Sequence, residues 1–177
     1  YKKMRSIRSH GMTTMSYDRF KGHATKYDIN DFGYNYRLDD IRASIGIIQL
    51  QKIDNDLAKR KKIRDRYLER LKNNSKIIIP FSENREFVSN YIFPFILKES
   101  KKNKRDFLRK ELHDRGIQTS IHYPSIHRFT IYKNEYTNLP ITDYVSKNEI
   151  TLPMYSNLRL KQVDYICDNL NDILTTL

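Results

Sequence analysis

Apolar residues recur at helical spacing over one long stretch in the first half of the chain. No proline interrupts the pattern between Leu38 and Lys72, and Asp39 or Asp40 can cap its start. The spacing therefore predicts one long amphipathic helix over residues 38–72. Its apolar stripe comprises Leu38, Ile41, Ile45, Ile48, Ile53, Leu57, Ile63, Tyr67, Leu68 and Leu71.

The stretch before this helix has a different pattern. Residues 1–34 contain Gly11, Gly22 and Gly33, many polar side chains and little apolar periodicity. Such a segment is typical of irregular structure, which needs another part of a protein to pack against.

Three short apolar runs after the long helix predict strands. Ile77–Ile79 stops at Pro80, and Tyr91–Leu97 forms a second run that contains Pro94. A proline cannot donate to a β-ladder, so Pro94 predicts an edge position or a bulge for this strand. Ile117–Tyr123 is the third predicted strand.

Capping residues and apolar stripes predict three further helices. One begins after Ser100 and ends at Gly116, where a left-handed C-terminal cap is expected. A short helix runs from Thr142 to about Ile150, and a last one follows Asn157. Helices and strands alternate too irregularly for a doubly wound sheet, which favours a small α+β domain attached to the long helix.

The composition limits the class of protein. Hydrophobic residues make up 38% of the 177 residues, enough for a modest core, and no apolar run approaches the roughly 18 residues of a membrane helix. The basic N-terminus has no apolar stretch behind it, so it does not resemble a signal peptide. Cys167, the one cysteine, is expected to be buried as a small hydrophobe, and it fits a reducing cytoplasm.

The net charge of +12 has two interpretations. One is an acidic partner such as nucleic acid, a membrane surface or a phosphorylated substrate. The other is lysine-rich helix faces exposed to solvent, since the charge is concentrated in residues 59–66 and 101–115 among apolar residues at helical spacing. No nucleic-acid-binding motif is present in the sequence, which favours the second interpretation.

Three stretches together carry a family resemblance. The first is Arg8–Met12, with the sequence RSHGM, and the second is Gly33–Leu38, with the sequence GYNYRL. The third is Gly116–His127, with the sequence GIQTSIHYPSIH. The second stretch is followed by Ala43, Gly46, Gln49, Leu50, Lys52, Ile53, Asp54 and Arg60, and the third by Leu139, Pro140, Leu152, Pro153 and Met154. In this order the chain resembles the DegT/DnrJ/EryC1/StrS family of aminotransferases over nearly its whole length.

The resemblance implies an α/β fold of the fold-type I class, which binds pyridoxal 5'-phosphate (PLP). Residues 1–37 would be the end of the large PLP-binding domain, residues 38–72 a connecting helix, and residues 73–177 a small α+β C-terminal domain. Family members are considerably longer than this chain. The lysine that anchors the cofactor would lie upstream of Tyr1, so the resemblance assigns no catalytic residue here.

The resemblance also implies an activity. Family members work as homodimers with active sites at the subunit interface, and most move an amino group from glutamate to a keto-sugar linked to a nucleotide diphosphate. The products enter polysaccharides, glycans or glycosylated natural products. Two alternatives remain: a non-catalytic split-gene remnant or dimerisation module, and a basic nucleic-acid-binding domain.

Candidate cofactor-binding residues lie just before the long helix. The resemblance implies that Asn35 donates to the cofactor phosphate in the neighbouring subunit, whereas the residue alone also suits a helix cap. Gly33 allows a positive φ or the close approach of a ligand. Arg37 suits a glutamate carboxylate or a substrate diphosphate, or alternatively a salt bridge to Asp39 or Asp40.

The third stretch contains candidate substrate-binding residues. The resemblance implies that His122, Tyr123 and His127 line the substrate pocket, with His122 bonding a sugar hydroxyl or a phosphate. A structural histidine is the alternative. Their spacing differs from that of structural zinc sites, and no cysteine or nearby carboxylate in the sequence completes a ligand set, so no metal is expected.

Overall fold

The computed structural model describes residues 1–13, 27–84, 86–98, 104–132 and 138–176. The chain divides into two compact units, Tyr1–Lys52 and Ile53–Leu177. The long helix belongs to both units, since the boundary falls within it.

The first unit begins with a short helix, α1 (Lys2–Ile7), which the sequence pattern did not predict. Six residues are too few for an apolar periodicity to be recognised. Isolated antiparallel bridges join Ser9 to Asn35 and Met12 to Ile29. Apart from α1 and these bridges, the described part of residues 1–34 is irregular, as predicted.

The predicted long helix is confirmed as α2 (Asp40–Leu71). Its start is fixed by Asp39, whose Oδ1 accepts a hydrogen bond of 2.9 Å from the backbone N–H of Arg42. A carboxylate that accepts from the third helical N–H satisfies a donor that has no partner within the helix.

The second unit contains a three-stranded antiparallel sheet. The strands are β1 (Ile77–Ile78), β2 (Phe93–Leu97) and β3 (Glu149–Leu152), in the spatial order β1-β2-β3. The first two are confirmed predictions. The register of β2 against β3 pairs Phe93 with Leu152 and Ile96 with Glu149.

The prediction of an edge strand is wrong for β2 as a whole, which is the central strand, but β2 has no neighbour on the β1 side at Pro94 itself. The backbone of Thr151, opposite Pro94, exchanges its hydrogen bonds with Ser120 and not with β2. Pro94 is therefore in a non-hydrogen-bonded pair with β3, and its nitrogen faces the β1 side. On that side β1 pairs only with Ile96 and Leu97, so the lack of an N–H at Pro94 costs the sheet no hydrogen bond.

Two predictions near the C-terminus are also wrong. The predicted helix that reaches Ile150 ends earlier, as α4 (Pro140–Asn148), and β3 follows directly. Pairing with the apolar residues of β2 outweighs local pattern over so short a segment. Within the predicted strand Ile117–Tyr123, only Ser120 forms a β-bridge, to Thr151.

The two remaining helices pack against the sheet and each other. Helix α3 (Lys104–Asp114) ends as predicted at Gly116, which has a φ of 76°. The backbone N–H groups of Gly116 and Ile117 donate to the carbonyl oxygens of His113 and Leu112, the pattern of a Schellman motif. The predicted cap Ser100 lies outside the described residues.

The last helix, α5 (Leu160–Thr176), begins later than the predicted cap at Asn157. Gln162 Oε1 instead accepts from the backbone N–H of Arg159 over 3.0 Å, as the third residue of a capping box does.

One hydrophobic core holds the second unit together. Alternate residues of β2 and β3 point to the same face, where Phe93 stacks on Tyr67 of α2 with ring centroids 4.6 Å apart. Cys167 of α5 is fully buried in this core, as predicted, and burial raises the pKa of its thiol to about 12. The buried core residues are Ile63, Tyr67, Leu71, Ile77, Phe93, Phe95, Leu97, Leu108, Leu112, Ile117, Ile150, Leu152, Leu158, Val163, Ile166, Cys167, Leu170, Ile173 and Leu174.

The basic residues of α2 pair with acids of α5. Arg66 donates to Asp164 over 2.7 Å, and Arg70 bonds Asp168. These ion pairs place basic residues on a face of α2, which agrees with the interpretation that the net positive charge lies on helix faces. Within the described ranges, no helix combines the length and the apolar character needed to cross a membrane.

Candidate functional site

The loop that carries Gly33, Asn35 and Arg37 is held by backbone hydrogen bonds to the end of α1. The N–H groups of Tyr34 and Tyr36 donate to the carbonyl oxygens of Ile7 and Arg8, and His10 donates to Tyr34. These bonds fix the backbone on both sides of Asn35 within the first unit.

Gly33 lies directly against backbone, which explains the need for glycine. A Cβ atom there would lie 2.1 Å from the Gly11 nitrogen and 2.7 Å from the Ile7 carbonyl oxygen. The expected close approach is thus made by the chain itself. The positive φ belongs to Gly11, at 71°, where a Cβ would lie 1.8 Å from the carbonyl oxygen of Asp31. Contact of Gly33 with a cofactor stays a prediction.

Asn35 presents an exposed side chain from this fixed loop. The side-chain amide of Asn35 makes no hydrogen bond within the described ranges. Helix α2 is capped by Asp39, so the alternative role of Asn35 as the cap of that helix is excluded. The amide carries two N–H donors, which suits an anionic oxygen.

Arg37 is exposed two residues further on. Asp39, one of its two predicted acidic partners, makes a 3.2 Å ion pair with Arg42. The rings of Tyr34 and Tyr36 stack on each other with centroids 5.0 Å apart, so the two tyrosines pack together.

The second group of candidates lies in the second unit, beside β3. His122 Nδ1 is 2.9 Å from Thr151 Oγ1, and its backbone N–H donates to Glu149 Oε2 over 2.9 Å. Thr151 Oγ1 is 2.5 Å from Glu149 Oε1. Glu149 and Thr151 are both buried. The bond to Glu149 also explains why residues 117–123 do not continue as a strand: the His122 N–H is taken by a side chain.

His127 lies next to Asp143, an acidic residue of α4. Its Nε2 lies 3.1 Å from Asp143 Oδ1 and makes no hydrogen bond within the described residues, so the contact is an ion pair when the imidazole is protonated. Arg128 binds both carboxylate oxygens of Asp143. These hydrogen bonds, with the nearby positive charges, lower the pKa of Asp143 to about 2 despite its partial burial.

Tyr123 is the most exposed of the three candidates, at 69%, and contacts the His122 ring edge-on. It lines a cavity of about 550 Å³ together with His127. His122 lines a separate cavity of about 210 Å³ with Gln118, Ser120 and Thr151. Binding of substrate by His122, Tyr123 and His127 stays a prediction.

Sequence reasoning missed three polar residues of this region. Glu149 lies at the end of the predicted helix that reaches about Ile150, and Thr151 lies just after it, so the local pattern does not indicate the strand that they share. Asp143 lies in α4, 16 residues after His127 in sequence, so the pairing of the two is tertiary. Nowhere in the part of the chain that the structure describes do three His, Cys, Asp or Glu residues cluster as metal ligands would.

Curated relatives share sequence over most of this chain. It is 31% identical over 163 residues to GDP-perosamine synthase of Escherichia coli O157:H7, which covers 88% of the chain and 44% of that protein. It is 28% identical over 174 residues to UDP-4-amino-4,6-dideoxy-N-acetyl-beta-L-altrosamine transaminase of Campylobacter jejuni, covering 97% of the chain and 44% of that protein. The chain thus spans less than half the length of these relatives.

Solved structures share the fold. The putative sugar aminotransferase Spr1654 of Streptococcus pneumoniae, in its PLP form, superposes with a TM-score of 0.80 at 28% identity, covering 98% of this chain and 43% of that one. Helicobacter pylori PseC, an aminotransferase of pseudoaminic acid biosynthesis, gives a TM-score of 0.83 at 24% identity, covering 98% of this chain and 46% of that one. These likenesses confirm the predicted fold class, α/β of the fold-type I PLP-dependent transferases.

The family model agrees with both comparisons. The model of the DegT/DnrJ/EryC1/StrS aminotransferase family matches residues 1–171 of the 177. The chain therefore belongs to the DegT/DnrJ/EryC1/StrS family, whose members are PLP-dependent sugar aminotransferases.

Proposed function

We propose that this chain is the C-terminal portion of an enzyme that moves an amino group from glutamate to a nucleotide-linked keto-sugar, for polysaccharide or glycan biosynthesis in the cytoplasm. The observation that carries the proposal is the family match over residues 1–171, together with relatives whose names describe amino-sugar nucleotide synthesis. In this proposal residues 1–37 are the end of the large PLP-binding domain. Residues 38–72 are the helix that connects it to the small C-terminal domain, which residues 73–177 form.

PLP supplies the electron sink for amino transfer, and its anchoring lysine belongs to a part of the enzyme upstream of this chain. Asn35 of this chain donates to the cofactor phosphate of the neighbouring subunit in a homodimer. Its exposed amide, on a loop whose backbone is fixed at Tyr34 and Tyr36, supports this role. A preorganised donor loses little freedom when it binds a phosphate.

The other candidates recognise substrates. Arg37 binds the carboxylate of glutamate or the diphosphate of the sugar nucleotide, because a guanidinium fork matches either group. His122, Tyr123 and His127 form a wall of the substrate pocket. The two cavities beside these residues support a pocket wall.

The activity is tested with the full-length protein, PLP, ¹⁵N-labelled glutamate and a panel of nucleotide-linked keto-sugars. The expected result is ¹⁵N in an amino-sugar nucleotide, formed in equal amount to 2-oxoglutarate and identified by mass spectrometry. An enzyme that passes the label to simple keto acids but to no sugar nucleotide would contradict the proposed substrate class.

A further inference from the structure

A buried carboxylate is linked to the imidazole of His122 through a hydroxyl group. Glu149 Oε1 is 2.5 Å from Thr151 Oγ1, which in turn is 2.9 Å from His122 Nδ1. The same carboxylate accepts the backbone N–H of His122 through Oε2 over 2.9 Å. Glu149 thereby holds both the backbone and, through Thr151, the ring of His122.

The direction of each hydrogen bond follows from counting protons. A carboxylate only accepts, so the single proton of the Thr151 hydroxyl is donated to Glu149. Thr151 Oγ1 can then only accept from the imidazole, which places the histidine proton on Nδ1. In the neutral ring, Nε2 is left with a lone pair.

The other ring nitrogen, Nε2, makes no hydrogen bond within the described residues. The side chain of His122 is half-buried. The His122 ring lines the cavity of about 210 Å³ beside Gln118 and Ser120. A nitrogen lone pair accepts a hydrogen bond from a hydroxyl group and repels an anionic oxygen.

We infer that Glu149 and Thr151 are positioning residues that hold a proton on Nδ1 of His122, so that Nε2 of the neutral ring accepts a hydrogen bond from a sugar hydroxyl of the substrate. The ligand rests on the proposed function, whereas the proton position does not. This assigns His122 to the sugar and not to the diphosphate, whereas the family resemblance allows either group.

The proton position is tested by ¹⁵N NMR of the full-length protein with labelled histidine. The wild type is expected to show a protonated Nδ1 and an unprotonated Nε2 for His122. In Glu149→Gln the amide oxygen must face the His122 backbone N–H, so the amide NH₂ faces Thr151. The hydroxyl then donates to Nδ1, and the proton moves to Nε2.

Two substitutions at Thr151 guard against a folding defect in Glu149→Gln. Thr151→Ser keeps the hydroxyl and is expected to keep the wild-type spectrum. Thr151→Val keeps the shape but removes the link, and a mixture of both tautomers is expected. Protonated Nε2 in the wild type, or the same tautomer in Glu149→Gln and Thr151→Val as in the wild type, would overturn the inference.

The ligand is tested by calorimetry with UDP-N-acetylglucosamine and GDP-mannose as probes, each against its nucleoside diphosphate alone. For the sugar nucleotide that the wild type binds more tightly, His122→Phe, which removes the ring nitrogen, is expected to weaken binding about 3- to 10-fold, the value of one neutral hydrogen bond. Binding of UDP or GDP should not change. Equal weakening of the nucleoside diphosphate, no weakening, or no wild-type binding of either sugar nucleotide would overturn the assignment to the sugar.

These two measurements separate the inference from the proposed function. An enzyme without amino-transfer activity toward sugars would refute the proposed function, while the NMR result would still decide whether Glu149 controls the tautomer of His122.

Discussion

Asn35 owes its exposure to the residues around it. Gly33 and Gly11 let two backbone segments meet at distances that any side chain would prevent, and the backbone bonds of Tyr34 and Tyr36 hold the loop on either side. The cap of α2 is made by Asp39, so the amide of Asn35 is not used there. The local structure thus keeps a hydrogen-bond donor ready at the surface.

Substitution Asn35→Ala is expected to weaken PLP binding by the full-length protein about 10- to 100-fold, because a hydrogen bond to a charged group contributes about 1.5–3 kcal/mol. Equilibrium dialysis with absorbance detection of PLP measures the dissociation constant. Asn30→Ala, on an exposed residue of the same unit, is the matched control and should leave it unchanged. Unaltered PLP binding by Asn35→Ala would contradict the role of this residue.

The Asp143 carboxylate makes part of the stability dependent on pH. Its pKa in the folded protein, about 2, is below the ordinary value near 3.9, so its ionised form is favoured by folding. The stabilisation is complete above about pH 4 and is lost as the pH falls toward 2.

Asp143→Asn is therefore expected to be less stable than the wild type at pH 5, with a difference that shrinks between pH 4 and pH 2. Urea unfolding at several pH values measures this. Gln51→Ala, which removes no titratable group from an exposed position of α2, should differ from the wild type by a pH-independent amount. A constant difference for Asp143→Asn would refute the coupling of Arg128 and His127 to this carboxylate.

The candidate residues can be predicted from the sequence, but the side chains that hold them in place cannot. The motifs around Asn35 and His122 are local in sequence, so they are recognisable. The partners Glu149, Thr151 and Asp143 are brought to the histidines by the pairing of β3 and by α4, 15 to 30 residues away, and no local pattern encodes that.

Helix α2 illustrates what a periodic pattern can predict at the scale of an element. Its bounds agree with the pattern to within two residues, since an apolar stripe and a capping aspartate are local signals. Which part of the stripe is covered is a tertiary property. Ile63, Tyr67 and Leu71 are buried, whereas Ile41 and Ile45 are exposed.

Leu71→Ala is expected to lower the free energy of unfolding by about 2–5 kcal/mol, because it leaves a cavity among fully buried side chains. Leu160→Ala, on a half-exposed leucine at the start of α5, should cost less than about 1 kcal/mol. Chemical denaturation followed by circular dichroism measures both. Equal losses would contradict the assignment of the core.

The missed strand β3 shows the limit of the same method. Ile150 and Leu152 alternate with Glu149 and Thr151, but four residues beside a helix are too few to separate a strand from a last helical turn. Pairing with β2 makes this segment a strand, since β2 lies antiparallel to it and pairs with all four residues.

At the scale of the whole molecule, the exposed half of the α2 stripe forms an apolar surface. Ile41, Ile45 and Ile48 recur on one face and are 47–74% exposed. The chain also spans less than half the length of its curated relatives. Contiguous exposed apolar surface favours association.

The 177-residue chain by itself is therefore expected to self-associate with rising concentration, as sedimentation velocity measures. Replacing Ile41, Ile45 and Ile48 together with glutamine should reduce this association, because it removes apolar surface without adding charge. The same replacements at exposed Ile126, Ile131 and Ile141 are the control and should have less effect. A wild-type chain that stays monomeric at all concentrations would contradict the expectation.

The central claim is that this chain completes the cofactor site of a partner subunit. The most direct test mixes two variants at a PLP concentration too low to support activity of either variant alone. One variant carries Asn35→Ala, and the other has its upstream PLP lysine replaced by alanine. Because each mixed dimer contains one site with both changes and one with neither, the account predicts that amino transfer from glutamate to the sugar nucleotide returns after subunit exchange. Activity that stays at the level of the separate variants, in dimers shown to have exchanged, would contradict it.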